Sequence, residues 1–294
     1  MTILPTPPPP PCAEAFVDSP MPGTAEVVDV WIMLEQRASW PARAVGPDGL
    51  PVALFGWLAE QIDGLAAMGL RARGQLIRQE TRDAAGRRLL LGFGGALFAL
   101  PTLVDAQLQQ LDLAAVVQAV QHDKTPVVPA QRLSGPHYFV CTNGRRDQCC
   151  ARLGLPVYRR LRTMIGARAW RTTHVGGHRF ATNVLTLGSG LVYGRVQETD
   201  CDALVAATEA GEVAFAWLRG RSSYPQHLQA AEALLGLQGL RLLHMEGDDA
   251  AAQVEFADDQ ARHRIAVRRS AQAHSVLAGC DKTALKAIYP FERC

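Results

Sequence analysis

The chain has 294 residues, 48% of them hydrophobic and 20% charged, with a formal net charge of +2. That length suffices for two domains of ordinary size with real cores, and the near balance of charge excludes a chain that is basic or acidic throughout. Seven cysteines, Cys12, Cys141, Cys149, Cys150, Cys201, Cys280 and Cys294, form an odd, irregularly spaced set in a long chain, which argues against a disulfide scaffold and for a reducing compartment where thiols serve metal or redox chemistry.

Residues 1–24 are proline-rich, without periodicity, and read as a disordered leader. They carry neither the basic stretch nor the apolar run of a signal peptide. "EVVDVWIMLEQ" (26–36) reads as a buried strand and 50–69 has helical spacing. "QLIRQETRD" and "GRRLLLGFGG" read as two strands around an Ala-Ala-Gly turn, and 103–120 as a second helix. The apolar run 89–104 falls short of the roughly 20 residues that span a bilayer, so the expectation is a soluble, cytoplasmic protein with no membrane partner.

A polar, proline-containing stretch, 122–136, reads as a linker, after which the pattern restarts. "HYFVC" (137–141) is a strand, 149–166 a helix, "ARAWRTTHV" (167–175) a strand, and 183–196 a hairpin turning at Gly188-Ser189-Gly190. Two helices follow, from "TDCDALVAATEAG" and "YPQHLQAAEALLG". Both halves thus read β-α-β-β-α, which predicts two related α/β layers of thioredoxin-like order. From 238 to 279, apolar and polar residues alternate as in a small antiparallel sheet. The expected architecture is α/β. A 25–121 N-terminal domain precedes a thioredoxin-like ferredoxin domain over 137–237, and a β-rich extension covers 238–294.

The chemistry concentrates in "VCTNGRRDQCC" and "THVGGHRFATN". Cys141 ends a predicted strand and Cys150 opens a predicted helix, where free N–H groups favour a thiolate. His174 ends the next strand and His178 follows a Gly-Gly turn. Two thiolates with two imidazoles make a metal-binding set. Zinc accepts such a set, but structural zinc sites usually take their cysteines two to four residues apart. The wider spacing of Cys141 and Cys150 suits a [2Fe–2S] cluster, for which Rieske centres give a precedent with mixed Cys and His ligation. The Rieske spacing itself is absent. Cys149, next to Cys150, is an alternative ligand on sequence grounds.

"CTNGRRDQCC" with "HVGGHRFATNVLTLGSGLVYGRV" resembles the sucrase/ferredoxin-like family, a thioredoxin-like ferredoxin branch. The segments 30–44 and 218–225 and the region of Cys280 resemble it more loosely. The resemblance implies a [2Fe–2S] cluster bound by a C-x8-C and an H-x3-H pair, here Cys141, Cys150, His174 and His178, and selects Cys150 over Cys149. It implies an electron carrier or redox sensor rather than a stand-alone catalyst. Nothing in the residues supports the sucrose cleavage of the family name, which needs two placed carboxylates. Glu198, Asp200 and Asp202 read instead as an acidic helix start.

Exchanging two thiolates for imidazoles removes negative charge and raises the potential, and the outer N–H of an imidazole opens electron uptake to coupling with proton uptake. Arg179 either stabilises reduced metal through its charge or faces solvent. Between 141 and 179 there are nine arginines and one acid, Asp147. Such a surface would steer an acidic redox partner or an anionic small molecule, although arginine is favoured over lysine throughout the chain. No nucleic-acid-binding motif accompanies the charge. The alternatives to a cluster are a zinc-bound structural or interaction module and a thiol–disulfide oxidoreductase; the latter lacks a C-x-x-C. Cys12 reads as incidental to the leader, Cys201 as core, and Cys280 and Cys294 have no assigned role. Trp31, Trp57 and Trp170 read as core, and "GFGGALF" (92–98) as a bend rather than a nucleotide loop.

Overall fold

The computed structural model describes residues 12–79, 85–277, 279–280 and 284–294. In chain order, the first half runs α1 (Cys12–Ala15), β1 (Val30–Glu35), α2 (Val52–Ala67), β2 (Ala72–Arg78), β3 (Leu89–Phe93), β4 (Ala96–Ala99), α3 (Asp105–Leu108), α4 (Leu113–Gln121) and β5 (Gln131–Arg132). The second runs β6 (His137–Cys141), α5 (Gln148–Ile165), β7 (Ala169–Thr172), β8 (Val184–Leu187), β9 (Leu191–Tyr193), α6 (Cys201–Glu209), β10 (Leu218–Arg221) and α7 (Gln226–Leu235). The tail runs β11 (Arg241–Gly247), β12 (Ala251–Ala257), β13 (Arg262–Arg269), β14 (His274–Leu277), β15 (Leu285–Ile288) and β16 (Phe291–Arg293).

Ten strands form one mixed sheet in the order β10-β9-β8-β6-β7-β2-β1-β3-β4-β5. Two copies of one motif lie side by side in it. In each, a parallel pair joined by a helix (β1-α2-β2; β6-α5-β7) is followed by an antiparallel hairpin (β3-β4; β8-β9) that returns to the first strand. The fold is α/β, as the sequence pattern implies, but β4 adds a strand to the expected β-α-β-β-α order of the first copy, in a segment read as a bend. The copies meet where β2 pairs antiparallel with β7, Ile77 opposite Thr172.

The centre of each half is read from its burial. All six residues of β1 are buried, as expected of a strand covered on both faces, where an apolar run replaces alternation. Ile32, Leu34 and Leu91 pack under α2 and α4 through Leu54, Leu58 and Val117. Tyr138, Val140 and Val184 pack under α5 and α6 through Val157, Leu161 and Leu204. On the opposite face a single core, with Trp31, Phe139 and Trp170, crosses the seam. Trp57 is buried too and donates to Leu111 O.

Several expectations are corrected. The strands on either side of 79–85 are not partners: β1 lies between β2 and β3, and the expected turn falls partly on residues outside the described ones. The helix expected over 103–120 is two helices, because the Asp112 carboxylate accepts from Ala115 N and starts α4 afresh. The stretch expected as a linker contributes β5, Arg132 opposite Phe98. The strand expected over 167–175 stops at Thr172, and β10 follows where none was expected. Of the expected leader, residues 1–11 lie outside the described residues, but Cys12 is fully buried and Gly23 N donates to Arg219 O. Gly94 and Gly95, with positive φ, turn the β3-β4 hairpin. In the tail, β11-β12-β13-β16 form an antiparallel sheet over α7, and β14 pairs with β15. Among the described residues no helix is long and apolar enough to cross a membrane.

Candidate metal centre

The end of β6 carries Cys141, whose N–H donates to Asn183 O on the loop entering β8. Six residues later Asp147 caps α5, its carboxylate accepting from Cys149 N. Cys150 therefore sits in the first helical turn, at the positive end of the helix dipole, which favours negative charge. The helix start is drawn tightly onto the strand at Gly154: a methyl group there would run into Cys141 O. Glycine at this point lets Cys150 reach Cys141.

The histidines come from the loop after β7, and the first half of the chain holds that loop. Thr173 N donates to Leu76 O, and Leu76 N donates to the Thr173 hydroxyl. Arg73 and Gln75, both on β2, donate to His174 O at 3.1 and 3.4 Å. The turn between the histidines requires glycine twice. Gly176 and Gly177 have φ of +87° and +70°, values that L side chains adopt at a cost. A Cβ on Gly176 would meet Glu26, and one on Gly177 would meet the Arg219 guanidinium. Arg219 is 1% exposed. It donates to Gly176 O at 3.0 Å, to Asn183 Oδ1 at 2.7 Å and to Thr24. It thus ties the histidine turn to β10 and the N-terminal segment.

These elements bring Cys141, Cys150 and His174 together. The His174 Nδ1 lies 3.8 Å from the Cys141 sulfur and 3.6 Å from that of Cys150, and the three ligand atoms could hold one metal. The His178 ring stacks on that of His174 with centroids 5.8 Å apart and planes at 23°. Its Nδ1 is turned away, 3.3 Å from the Cys12 sulfur and 3.6 Å from Asp147 Oδ2. Cys149 does not join Cys141; its sulfur faces Cys12 and Cys280 at 3.8 and 3.2 Å. The Arg179 guanidinium lies over the Phe180 ring at 4.3 Å.

Both cysteines are fully buried while the histidine side is partly open, His178 having 14% of its side chain exposed. The Cys150 thiol donates to Cys141, and His174 adds to the effect, so Cys141 is held well below the ordinary thiol range. The same hydrogen bond, with burial, pushes Cys150 up. One sulfur is thus ready as thiolate and its neighbour gives up its proton when a cation arrives.

Sequence reasoning missed Asp147, Gly154, Arg219, Cys12 and Cys280. An acid just before a helical run signals an N-cap, so Asp147 was within reach. Arg219 sits in the short strand Leu218–Arg221, whose sequence gives no sign of its loop contacts. Glu198, Asp200 and Asp202 start α6 as expected: Asp200 Oδ2 accepts from Gln197 N and Asp202 pairs with Arg160.

A family model described as sucrase/ferredoxin-like matches residues 21–220. The match covers more than half of the chain, which belongs to the sucrase/ferredoxin-like family. No curated protein and no solved structure was found to match.

Proposed function

We propose that this chain is an iron–sulfur protein that binds a [2Fe–2S] cluster through Cys141, Cys150, His174 and His178 and works in one-electron transfer or redox sensing. The observation that carries the reading is the convergence of two buried thiols and His174 at one end of the sheet, with the His178 ring stacked alongside. When bound, such a cluster supplies reversible one-electron chemistry at a potential raised by imidazole ligation.

The residues divide the work. Cys141 and Cys150 would hold the inner side of the group, in a pocket that Val175 helps to close against water. His174 and His178 would hold the outer side. His174 offers Nδ1 to the site, which leaves Nε2 to carry the exchangeable proton. His178 needs a turn of its ring away from Cys12 to join. Arg219 and the Gly-Gly turn keep the two rings in register, and Arg73 and Gln75 fix the His174 backbone from the other half. The first half is then a scaffold for the second.

The arginine run bears on partners. Arg152, Arg160 and Arg168 are paired with Glu14, Asp202 and Glu209. Arg145 and Arg146 are exposed on the loop between Cys141 and α5. An acidic redox protein or an anionic small molecule would dock there, next to the thiols. The seven cysteines are all free thiols, in keeping with a cytoplasmic setting.

The test is exchange of ligand type. His174→Cys should keep iron and sulfide and lower the midpoint potential, because a neutral imidazole ligand is replaced by an anionic thiolate. Unchanged potential in an iron-loaded variant would remove His174 from the ligand set.

A further inference from the structure

A second group of thiols stands beside the first and takes no part in it. Cys12 on α1, Cys149 on α5 and Cys280 after β14 bring their sulfurs within 3.1 Å (Cys12–Cys280), 3.2 Å (Cys149–Cys280) and 3.8 Å (Cys12–Cys149) of one another. The Asp147 carboxylate completes the group, 3.3 Å from Cys280 and 3.9 Å from Cys12. We propose that Cys12, Cys149, Cys280 and Asp147 form a tetrahedral zinc site, separate from the Cys141–Cys150–His174 centre.

The geometry and the chemistry agree. With zinc–sulfur bonds of about 2.3 Å, the sulfurs of a tetrahedral site stand about 3.8 Å apart. The three sulfurs here span that distance or less, so a small outward movement admits the ion. The set is borderline-soft, three thiols and one carboxylate, which suits zinc and not calcium or magnesium. The supports around the ligands are in place as well. Asp147 is held by Cys149 N at 3.0 Å and Cys280 N at 3.1 Å, and Cys12 N donates to the Cys280 sulfur at 3.3 Å. N–H groups directed at ligand atoms orient them and stabilise their charge. Ala13, Phe16, Leu153, Ala181 and Leu277 wall the group with apolar surface.

Electrostatics point the same way. Burial and the neighbouring Cys280 and Asp147 push the Cys12 thiol up, and burial pushes that of Cys149 to about 11. Burial and close neighbours thus oppose ionisation of the Cys12 and Cys149 thiols. A divalent cation at their centre reverses that and turns each thiol into a ligand. A disulfide would use only two of the sulfurs and would leave the carboxylate facing the third without purpose.

The site would act as a clasp. Cys12 and Cys149 are 137 residues apart and Cys149 and Cys280 are 131 apart, so one ion ties both outer segments of the chain to the start of α5. Cys12 and Cys280 both lie outside residues 21–220, the stretch that carries the family match. His178 Nδ1 lies beside this group, so the clasp also borders the proposed cluster.

The test is metal content of the full chain purified without oxygen, in wild type and in Cys12→Ser, Cys280→Ser, Asp147→Asn and Cys141→Ser. About one zinc per chain is expected in wild type. Cys12→Ser and Cys280→Ser should lose it and keep their iron, Asp147→Asn should hold it at least tenfold more weakly, and Cys141→Ser should lose iron and keep zinc. Cobalt(II) added to zinc-stripped wild type should give the near-ultraviolet sulfur-to-cobalt band, a readout that needs no folded variant. No zinc and no cobalt band would overturn the site. So would zinc lost in Cys141→Ser but kept in Cys12→Ser and Cys280→Ser, which would move zinc to the other centre and sink the cluster reading with it. A Cys12–Cys280 or Cys149–Cys280 disulfide in the oxygen-free protein would also overturn it.

Discussion

Cys149 and Cys150 are adjacent in the first turn of α5, yet their sulfurs face different groups: Cys150 lies 3.6 Å from His174 Nδ1, and Cys149 lies 3.2 Å from the Cys280 sulfur. Successive side chains on a helix diverge by about 100°, so one turn can serve two sites. Cys150→Ser should therefore abolish iron and sulfide binding, and Cys149→Ser should leave both. Iron and sulfide assays on the two purified variants decide it, and the opposite pattern would exchange the roles of the two cysteines.

Arg219 is the buried cation that holds the histidine turn. Arg219→Met should leave Gly176 O and Asn183 Oδ1 without their donor, at about 1–3 kcal/mol for each unsatisfied buried group. Denaturant unfolding should show that loss, and iron retention should fall with it. Wild-type stability in the variant would mean that the turn is held by other contacts.

Gly154 sets the approach of α5 to β6. Gly154→Ala should push the helix off Cys141 O and cost roughly 1–3 kcal/mol, as overpacking does. Iron content at a fixed chelator concentration should drop even though no ligand is changed. Gly177→Ala should act similarly at the other end, where a methyl group meets Arg219 and φ is +70°.

His137, at the start of β6, is held neutral: burial first, and then Arg168, lower its pKa from 6.5 to about 4. The unfolded chain takes up that proton near 6.5, and the folded chain does so only near 4. The folded state is therefore progressively destabilised as pH falls from about 6.5 to about 4, and no such penalty exists above 6.5. The unfolding midpoint of His137→Gln relative to wild type should rise over that window. A constant difference between the two would show that His137 does not titrate in this way.

Much of the fold was legible because its signals are local. The unbroken apolar run of β1 marked a central strand, and the repeated β-α-β-β-α order marked the twin halves. Cys141, Cys150, His174 and His178 stood out because strand ends and a glycine turn frame them. What escaped notice depends on contacts distant in the chain. Nothing near Cys12 or Cys280 signals a partner, since their partners are more than a hundred residues away. The insertion of β1 between β2 and β3 was hidden because adjacent strands in sequence usually pair. The break in the helix over 103–120 was readable in principle, since Asp112 is a good N-cap ahead of an apolar run. The arginine run reads differently in the structure, where Glu14, Asp202 and Glu209 answer three of its members.

The most direct measurement is on oxygen-free protein: iron and acid-labile sulfide per chain, with electron paramagnetic resonance after reduction. The account predicts iron and sulfide in equal amounts, about two of each per chain, and a rhombic signal of low average g, as histidine-ligated [2Fe–2S] centres give. Protein without sulfide, with zinc in place of iron at Cys141 and Cys150, would contradict it.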